Sequence, residues 1–230
     1  MVPPMWPPSH RPASGRGERY SWGGVGSGLV GSGLLGADVV IDFTIAPAFD
    51  SMLRAAMQHG VAVVSGTTRL TDESVALIDK ASAKIPVLWA PNMSVGVQVL
   101  AKLVREAVSA LGVDYDVEIV ETHHNQKADA PSGTATFLEE AARSARPELV
   151  AQHGREGQVG KRKPNEIGMH AIRGGGVVGD HTVHLIGEHD RIEITHRAMR
   201  RELFAAGALR AARFVAGKEP GRYTLADVIA

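Results

Sequence analysis

A chain of 230 residues, 44% hydrophobic and 22% charged, can bury a real core and has the composition of an ordinary globular protein. Lysine plus arginine equals aspartate plus glutamate at 25 each, so no net field gathers nucleic acid or a membrane surface. The absence of cysteine excludes disulfides and thiolate metal sites, and no apolar run approaches the roughly 20 residues that span a bilayer. With no apolar signal core at the N-terminus either, the expectation is a cytoplasmic protein.

Residues 1–36 hold five of the 12 prolines and nine of the 26 glycines, a density that defeats regular structure and predicts a disordered arm. Within it, Gly26-Ser-Gly28-Leu-Val-Gly31 and Gly31-Ser-Gly33-Leu-Leu-Gly36 both satisfy the dinucleotide pattern G-x-G-x-x-G. That pattern works only between a strand and a helix. The preceding GRGERYSWGG is no strand, and a glycine costs a helix ~1 kcal/mol relative to alanine, so the arm reads as low-complexity sequence.

From residue 37 the punctuation becomes regular. ADVVIDFT is a short β-branched run and predicts a buried strand; PAFDSMLRAAMQHG predicts a helix with Pro47 near its start and Gly60 past its end. VAVVSG is a second strand, LTDESVALIDKASAKI a helix capped by Thr71 or Asp72, PVLWA a third strand, and SVGVQVLAKLVREAVSALG a long amphipathic helix. Strands alternating with helices predict a parallel sheet. DYDVEIVETHH then alternates as a strand, and a helix is expected over 132–145. IGMHAIRGG, VVGDHTVHLIGE and DRIEITHRAM predict three consecutive antiparallel strands, and RELFAAGALRAARFVAG a closing helix. The expected fold class is α/β, a parallel-sheet domain and an α+β domain whose sheet is mainly antiparallel.

Ligands gather at the carboxyl ends of parallel strands. Three such ends, DFT (42–44), GTT (66–68) and APNMSVG (90–96), carry small and hydroxyl residues that let backbone amides approach a nucleotide. Each alone reads equally well as a turn; three at successive strand ends favour a nucleotide cleft. The segment ETHHNQKADAPSGTA (121–135) is denser in chemistry. His123 and His124 end a strand, Lys127 lies a short loop away, and Pro131-Ser132-Gly133-Thr134 opens a helix whose free N–H groups suit a carboxylate or phosphate. Imidazole, ammonium and helix N-terminus describe a site that binds an acid and hands it a proton. A structural histidine and an ordinary helix cap remain the plainer reading of each part. Adjacent histidines without a well-spaced carboxylate give no metal site.

VIDFT, GTT, APNMSVGV, E-x-HH-x-x-K-x-DAPSGTA, the REG of 155–157 and HTV-to-EITHRA together resemble the 4-hydroxy-tetrahydrodipicolinate (dihydrodipicolinate) reductase family of the diaminopimelate route to lysine. The resemblance runs from about residue 37 to the C-terminus. It implies an oxidoreductase that takes hydride from NADH or NADPH and reduces a cyclic dicarboxylate imine, with His123 as proton donor and Lys127 as a second acid–base residue. His124, Gly133 and Thr134 match the substrate-carboxylate contacts. Gly66, Thr67, Thr68, Ala90, Pro91, Asn92 and Met93 match the cofactor loops. It further implies a homotetramer joined through the second domain's sheet, and no metal. The family's opening strand–GxxGRMG–helix unit has no counterpart here, which gives an incomplete Rossmann-like domain over 37–94 and 203–230 around a substrate-binding and oligomerising domain over 95–202. Asn125-Gln126 and Arg69-Leu70 also depart from the family's common pairs. A truncated or non-catalytic homologue that binds cofactor poorly is the alternative expectation, and an unrelated α/β binding module a third.

Overall fold

The computed structural model describes Leu34 and residues 36–230. The arm expected over 1–36 and its two glycine patterns lie outside the described residues, apart from Leu34 and Gly36. Leu34 is buried in the first core cluster, and its carbonyl accepts the Ala37 N–H.

Four parallel strands form the first sheet, β1 (Val39–Asp42), β2 (Ala62–Ser65), β3 (Pro86–Trp89) and, far along the chain, β9 (Gly221–Tyr223), in the order β1-β2-β3-β9. Helices α1 (Ala46–His59) and α2 (Asp72–Ser82) cover one face, with Phe49, Leu53, Ile78 and Ala81 packed on Val63 and Val87. The second face receives α5 (Glu202–Val215) through Ala208, Ala211 and Val215 against Val64 and Leu88. Burial on both faces explains why β2 reads as a continuous apolar run rather than an alternation. Each fully buried aliphatic or aromatic side chain here contributes roughly 1.5–3 kcal/mol.

The expected helix signals are where the sequence placed them. Gly60 sits at φ 66° and returns its N–H to the Ala56 carbonyl, closing α1 in a left-handed cap that a side chain would strain. Thr71 accepts from the Ser74 N–H at the start of α2, and Ser94 accepts from the Val97 N–H at the start of α3 (Val95–Leu111). Ser132 does the same for α4 (Gly133–Ala145), accepting from the Ala135 N–H.

The second sheet has five strands in the order β5-β6-β4-β7-β8, namely β5 (Val150–His153), β6 (Glu166–Arg173), β4 (Asp116–His123), β7 (Asp180–Ile186) and β8 (Arg191–Arg197). Here the expectation of three consecutive antiparallel strands needs correction. β7 and β8 form the expected hairpin, but β6 does not pair with β7; it runs parallel to β4, which lies between them. The sheet is therefore mixed, not mainly antiparallel. The cause is the 174–179 segment, which binds the end of β4 instead of turning tightly: Gly174 N–H donates to the His123 carbonyl, and His124 N–H donates to the Val177 carbonyl. The short strands β5 and β9 were not anticipated; neither shows a clean alternation.

Helices α3 and α4 cover one face of this sheet, where Leu100, Val104, Leu138 and Ala142 meet Val117, Ile119, Ile167, Val183 and Leu185. Along β4 every second residue is buried, Val117, Ile119, Glu121 and His123. The alternation that fills the core therefore also buries a carboxylate and an imidazole at the strand's end. Residues of the opposite face include Glu118, bridged by Arg155, Arg162 and His170.

Candidate active site

At the carboxyl edge of the first sheet the organising group is Asp42, only 2% exposed. Its carboxylate accepts from the Thr44 N–H at 3.0 Å, the Thr44 hydroxyl at 2.6 Å, and the Ser65 and Thr67 hydroxyls at 2.7 Å each. A buried charge must be compensated, and these donors tie two strand-end loops to one point. Thr67 is consequently occupied: its N–H donates to Ser65 and its carbonyl accepts from the Trp89 indole. Gly66 lies under the Phe43 ring, and a Cβ there would come within 2.3 Å of it, so only glycine permits the approach. Met93 and Ala90 are buried in the core behind the edge, while Thr68 and Pro91 are exposed and Asn92 is half-buried. Of the cofactor residues expected from the sequence, Thr68 and Pro91 are exposed, Gly66 is half-buried and Asn92 lines a cavity, whereas Thr67, Ala90 and Met93 lie buried behind them.

At the end of β4, His123 Nδ1 stands 2.5 Å from Glu121 Oε2. Glu121 is 1% exposed and fully engaged: Arg173 on β6 donates to both its oxygens at 2.8 Å, and the Ser132 N–H reaches Oε1 at 3.1 Å. Burial works against this carboxylate's charge, but Arg173 and then His123 hold its pKa below the ordinary glutamate value. Edge-on to His123, with ring centres 5.1 Å apart, lies His181 of β7. His181 Nε2 meets the Ser132 hydroxyl at 2.9 Å. Burial, with the neighbouring His123 adding to it, pushes the His181 pKa down to about 4, so this ring is neutral near pH 7.

The loop after β3 meets the second sheet's side of the site in two places: Asn92 Nδ2 donates to the Thr134 hydroxyl at 2.8 Å, joining an expected cofactor residue to an expected substrate residue, and the Ser94 hydroxyl lies 3.4 Å from His196 Nε2. Asn92, Thr134, His123, Gly179, His181 and His196 line a small cavity of about 30 Å³ there. A wider groove of about 560 Å³ adjoins it along Ser94, His196 and Leu203. Gly133 is exposed at the first turn of α4, where its peptide can face an anion. His124 is half-buried beside the 174–179 segment. Lys127 is turned to Asp129, with its Nζ 2.8 Å from both carboxylate oxygens.

Glu121, Arg173 and His181 were given no role from the sequence, and Ser132 only a place at the helix start. Glu121 had a signal, since strand alternation puts it on the same face as His123 two residues on. Arg173 and His181 had none: the registers His123↔Arg173 and Glu121↔His181 exist only once β6 and β7 flank β4. Among the described residues no group of three or more potential metal ligands clusters, and no helix is long and apolar enough to cross a membrane.

A parallel sheet covered on both faces, with hydroxyl-lined strand ends opening toward a carboxylate-backed imidazole, defines a Rossmann-like α/β oxidoreductase. The descriptions of dihydrodipicolinate reductase, N-terminus and C-terminus, match residues 29–93 and 96–229 respectively. This chain belongs to the dihydrodipicolinate reductase family. It is 52% identical over 197 residues to the 4-hydroxy-tetrahydrodipicolinate reductase of an Anaeromyxobacter species, covering 84% of this chain and 74% of that one. Against the reductase of the same name from Syntrophotalea carbinolica it is 49% identical, covering 84% and 73%. Among solved structures, a dipicolinate-bound dihydrodipicolinate reductase from Paenisporosarcina sp. superposes with a TM-score of 0.64 at 26% identity, covering 82% of this chain and 72% of the other.

Proposed function

We propose that this chain reduces 4-hydroxy-tetrahydrodipicolinate to tetrahydrodipicolinate, the step its curated relatives are named for. The observation that supports this most directly is the Asn92–Thr134 bond, which sets the strand-end loops of the first sheet against the His123 site of the second. NADH or NADPH, the cofactor of this family, supplies the hydride when bound. The residues present fit such a group: Thr68, Pro91 and Asn92 offer small or polar surface at the strand ends, beside half-buried Gly66.

The chain's own residues handle the acid. The first turn of α4, through Gly133 and the Thr134 hydroxyl, receives a substrate carboxylate, and His124 supports it. The substrate's hydroxyl leaves as water together with a proton from the adjacent ring carbon, which gives an unsaturated imine; hydride is received at C4 of that ring, and His123 gives the proton that completes the product. Lys127 adds a positive field that attracts the dicarboxylate; Asp129 holds it in reserve until substrate competes for it. Asp42 keeps the GTT loop level so that Gly66 and Thr68 meet the cofactor with Pro91 and Asn92, backed by the buried Thr67, Ala90 and Met93.

Residues 37–94 and 203–230 then form the cofactor-binding domain, and 95–202 the substrate-binding domain. The outer face of the second sheet, with Ile172 and Ile186 exposed beside threonines and ion pairs, serves as the interface of a homotetramer in the cytoplasm. A match to both the N- and C-terminal halves of the family favours a reductase over a chain that keeps the substrate side alone.

The test is His123→Gln. Turnover is expected to fall about 10²–10⁴-fold while pyridine-2,6-dicarboxylate, a flat mimic of the substrate, binds nearly as well. Equal turnover in variant and parent would remove His123 from proton donation.

A further inference from the structure

We propose that Glu121, clamped by Arg173, is a positioning residue that fixes the orientation and tautomer of His123. This rests on the reading of His123 as the proton donor. A strand-end histidine would ordinarily be free to rotate about its side-chain bonds. Here the ring is held on two sides and given room on a third. Glu121 takes Nδ1 at 2.5 Å; His181 lies edge-on at 77°; and Gly179 leaves room where a Cβ would stand 2.9 Å from Nε2.

The carboxylate decides which nitrogen keeps its proton. An ionised carboxylate only accepts hydrogen bonds, so Nδ1 must be the donor to it. The proton available for transfer is then the one on Nε2, the nitrogen beside Gly179 at the cavity. His181, held neutral, places no second cation against that ring.

Glu121 can play this part because it cannot move. Its oxygens accept four hydrogen bonds, two from Arg173, one from His123 and one from the Ser132 N–H at the helix cap. Arg173 Nη2 also donates to the Asp129 carbonyl at 2.7 Å, and Asp129 holds Lys127. A single network therefore positions His123, the start of α4 and the loop of Lys127. The groups facing Glu121 and His123 are Arg173 from β6, His181 from β7, and Lys127 and Asp129 from the loop.

The experiment uses the full chain. In the parent, long-range ¹H–¹⁵N NMR of the His123 side chain should show Nδ1 protonated in the neutral ring. Glu121→Gln should lower kcat by roughly 10²-fold and leave KM and pyridine-2,6-dicarboxylate affinity within about 3-fold, the signature of lost orientation with binding kept. Glu121→Asp should keep the charge, lengthen the bond to Nδ1 and fall between the two. An unprotonated Nδ1 in the neutral parent ring would overturn the proposal even if Glu121→Gln failed to fold. Parent-like kcat in Glu121→Gln, with His123→Gln inactive, would overturn it and leave the donor reading standing. Parent-like kcat in His123→Gln would overturn both.

Discussion

At the scale of single residues, the site depends on side chains that serve two structures at once. Thr134 is a helix first-turn residue whose hydroxyl also accepts from Asn92. Replacing it with valine removes a donor for a bound carboxylate and strands the Asn92 amide. A neutral hydrogen bond is worth about 0.5–1.5 kcal/mol, and one to a charge more. Thr134→Val is therefore expected to weaken pyridine-2,6-dicarboxylate binding at least about 10-fold, measured by calorimetry, and to weaken NADPH binding as well because Asn92 loses its anchor. Unchanged affinity for both would show that the hydroxyl faces neither ligand. His123 and His124 were visible in the sequence as a pair. Which of the two is buried was not, because it follows from which one the strand turns inward, toward Glu121.

At the scale of elements, close backbone approach holds the 90–93 loop in place. Gly207 in α5 lies against the Met93 carbonyl, where an added Cβ would come within 1.7 Å. Backbone cannot rotate away as a flexible side chain can, so the helix or the loop must shift. Gly207→Ala is expected to destabilise the protein by about 2–3 kcal/mol, read as a lower urea midpoint, and to reduce cofactor affinity by displacing Asn92. An unaltered midpoint would mean that α5 can slide on the sheet. Local signals located most elements: Pro47 and Gly60 bracket α1, and Thr71, Ser94 and Ser132 cap α2, α3 and α4. Pairing was harder. Period-two alternation says that 166–173 is a strand and which face it buries, but says nothing of its neighbour. The glycines of 174–176 suggested a hairpin, whereas they let the chain cross the end of β4.

For the whole molecule, buried His181 and half-buried Glu118 contribute to the acid limit. His181 has a folded pKa of about 4 against 6.5 in the open chain, so the unfolded state binds the extra proton. Its contribution to stability is complete above pH 6.5 and is lost as pH falls from there toward 4. Glu118, although burial opposes its charge, is brought down to about 2 by Arg155, His170 and Arg162. Its contribution is present above the ordinary value of 4.5 and is lost as pH falls toward 2. Stability should thus decline in two successive windows, each by at most about 1.4 kcal/mol per pH unit for one proton. Urea midpoints taken from pH 7 to 3 test this. His181→Gln should reduce the slope of the upper window, where His196, also lowered by burial, still contributes, and leave the lower one; a parent whose midpoint is flat between pH 6.5 and 4 would contradict a buried neutral His181.

Composition, periodicity and caps are local properties, and they were enough to expect a parallel sheet, a second α+β layer and a proton-handling segment at 121–135. The residues 42–44, 66–68 and 90–93 were found as strand ends because small and hydroxyl residues cluster after apolar runs. What the chain could not express locally is contact across long separations. Glu121 meets Arg173 after 52 residues, Ser132 meets His181 after 49, and Asn92 meets Thr134 after 42. Such meetings are set by sheet order and register, which depend on how every buried face is satisfied together. The sequence by itself therefore determined which groups could do the chemistry; only the tertiary structure decided which carboxylate backs the histidine, which ring stays neutral and which loop meets the helix.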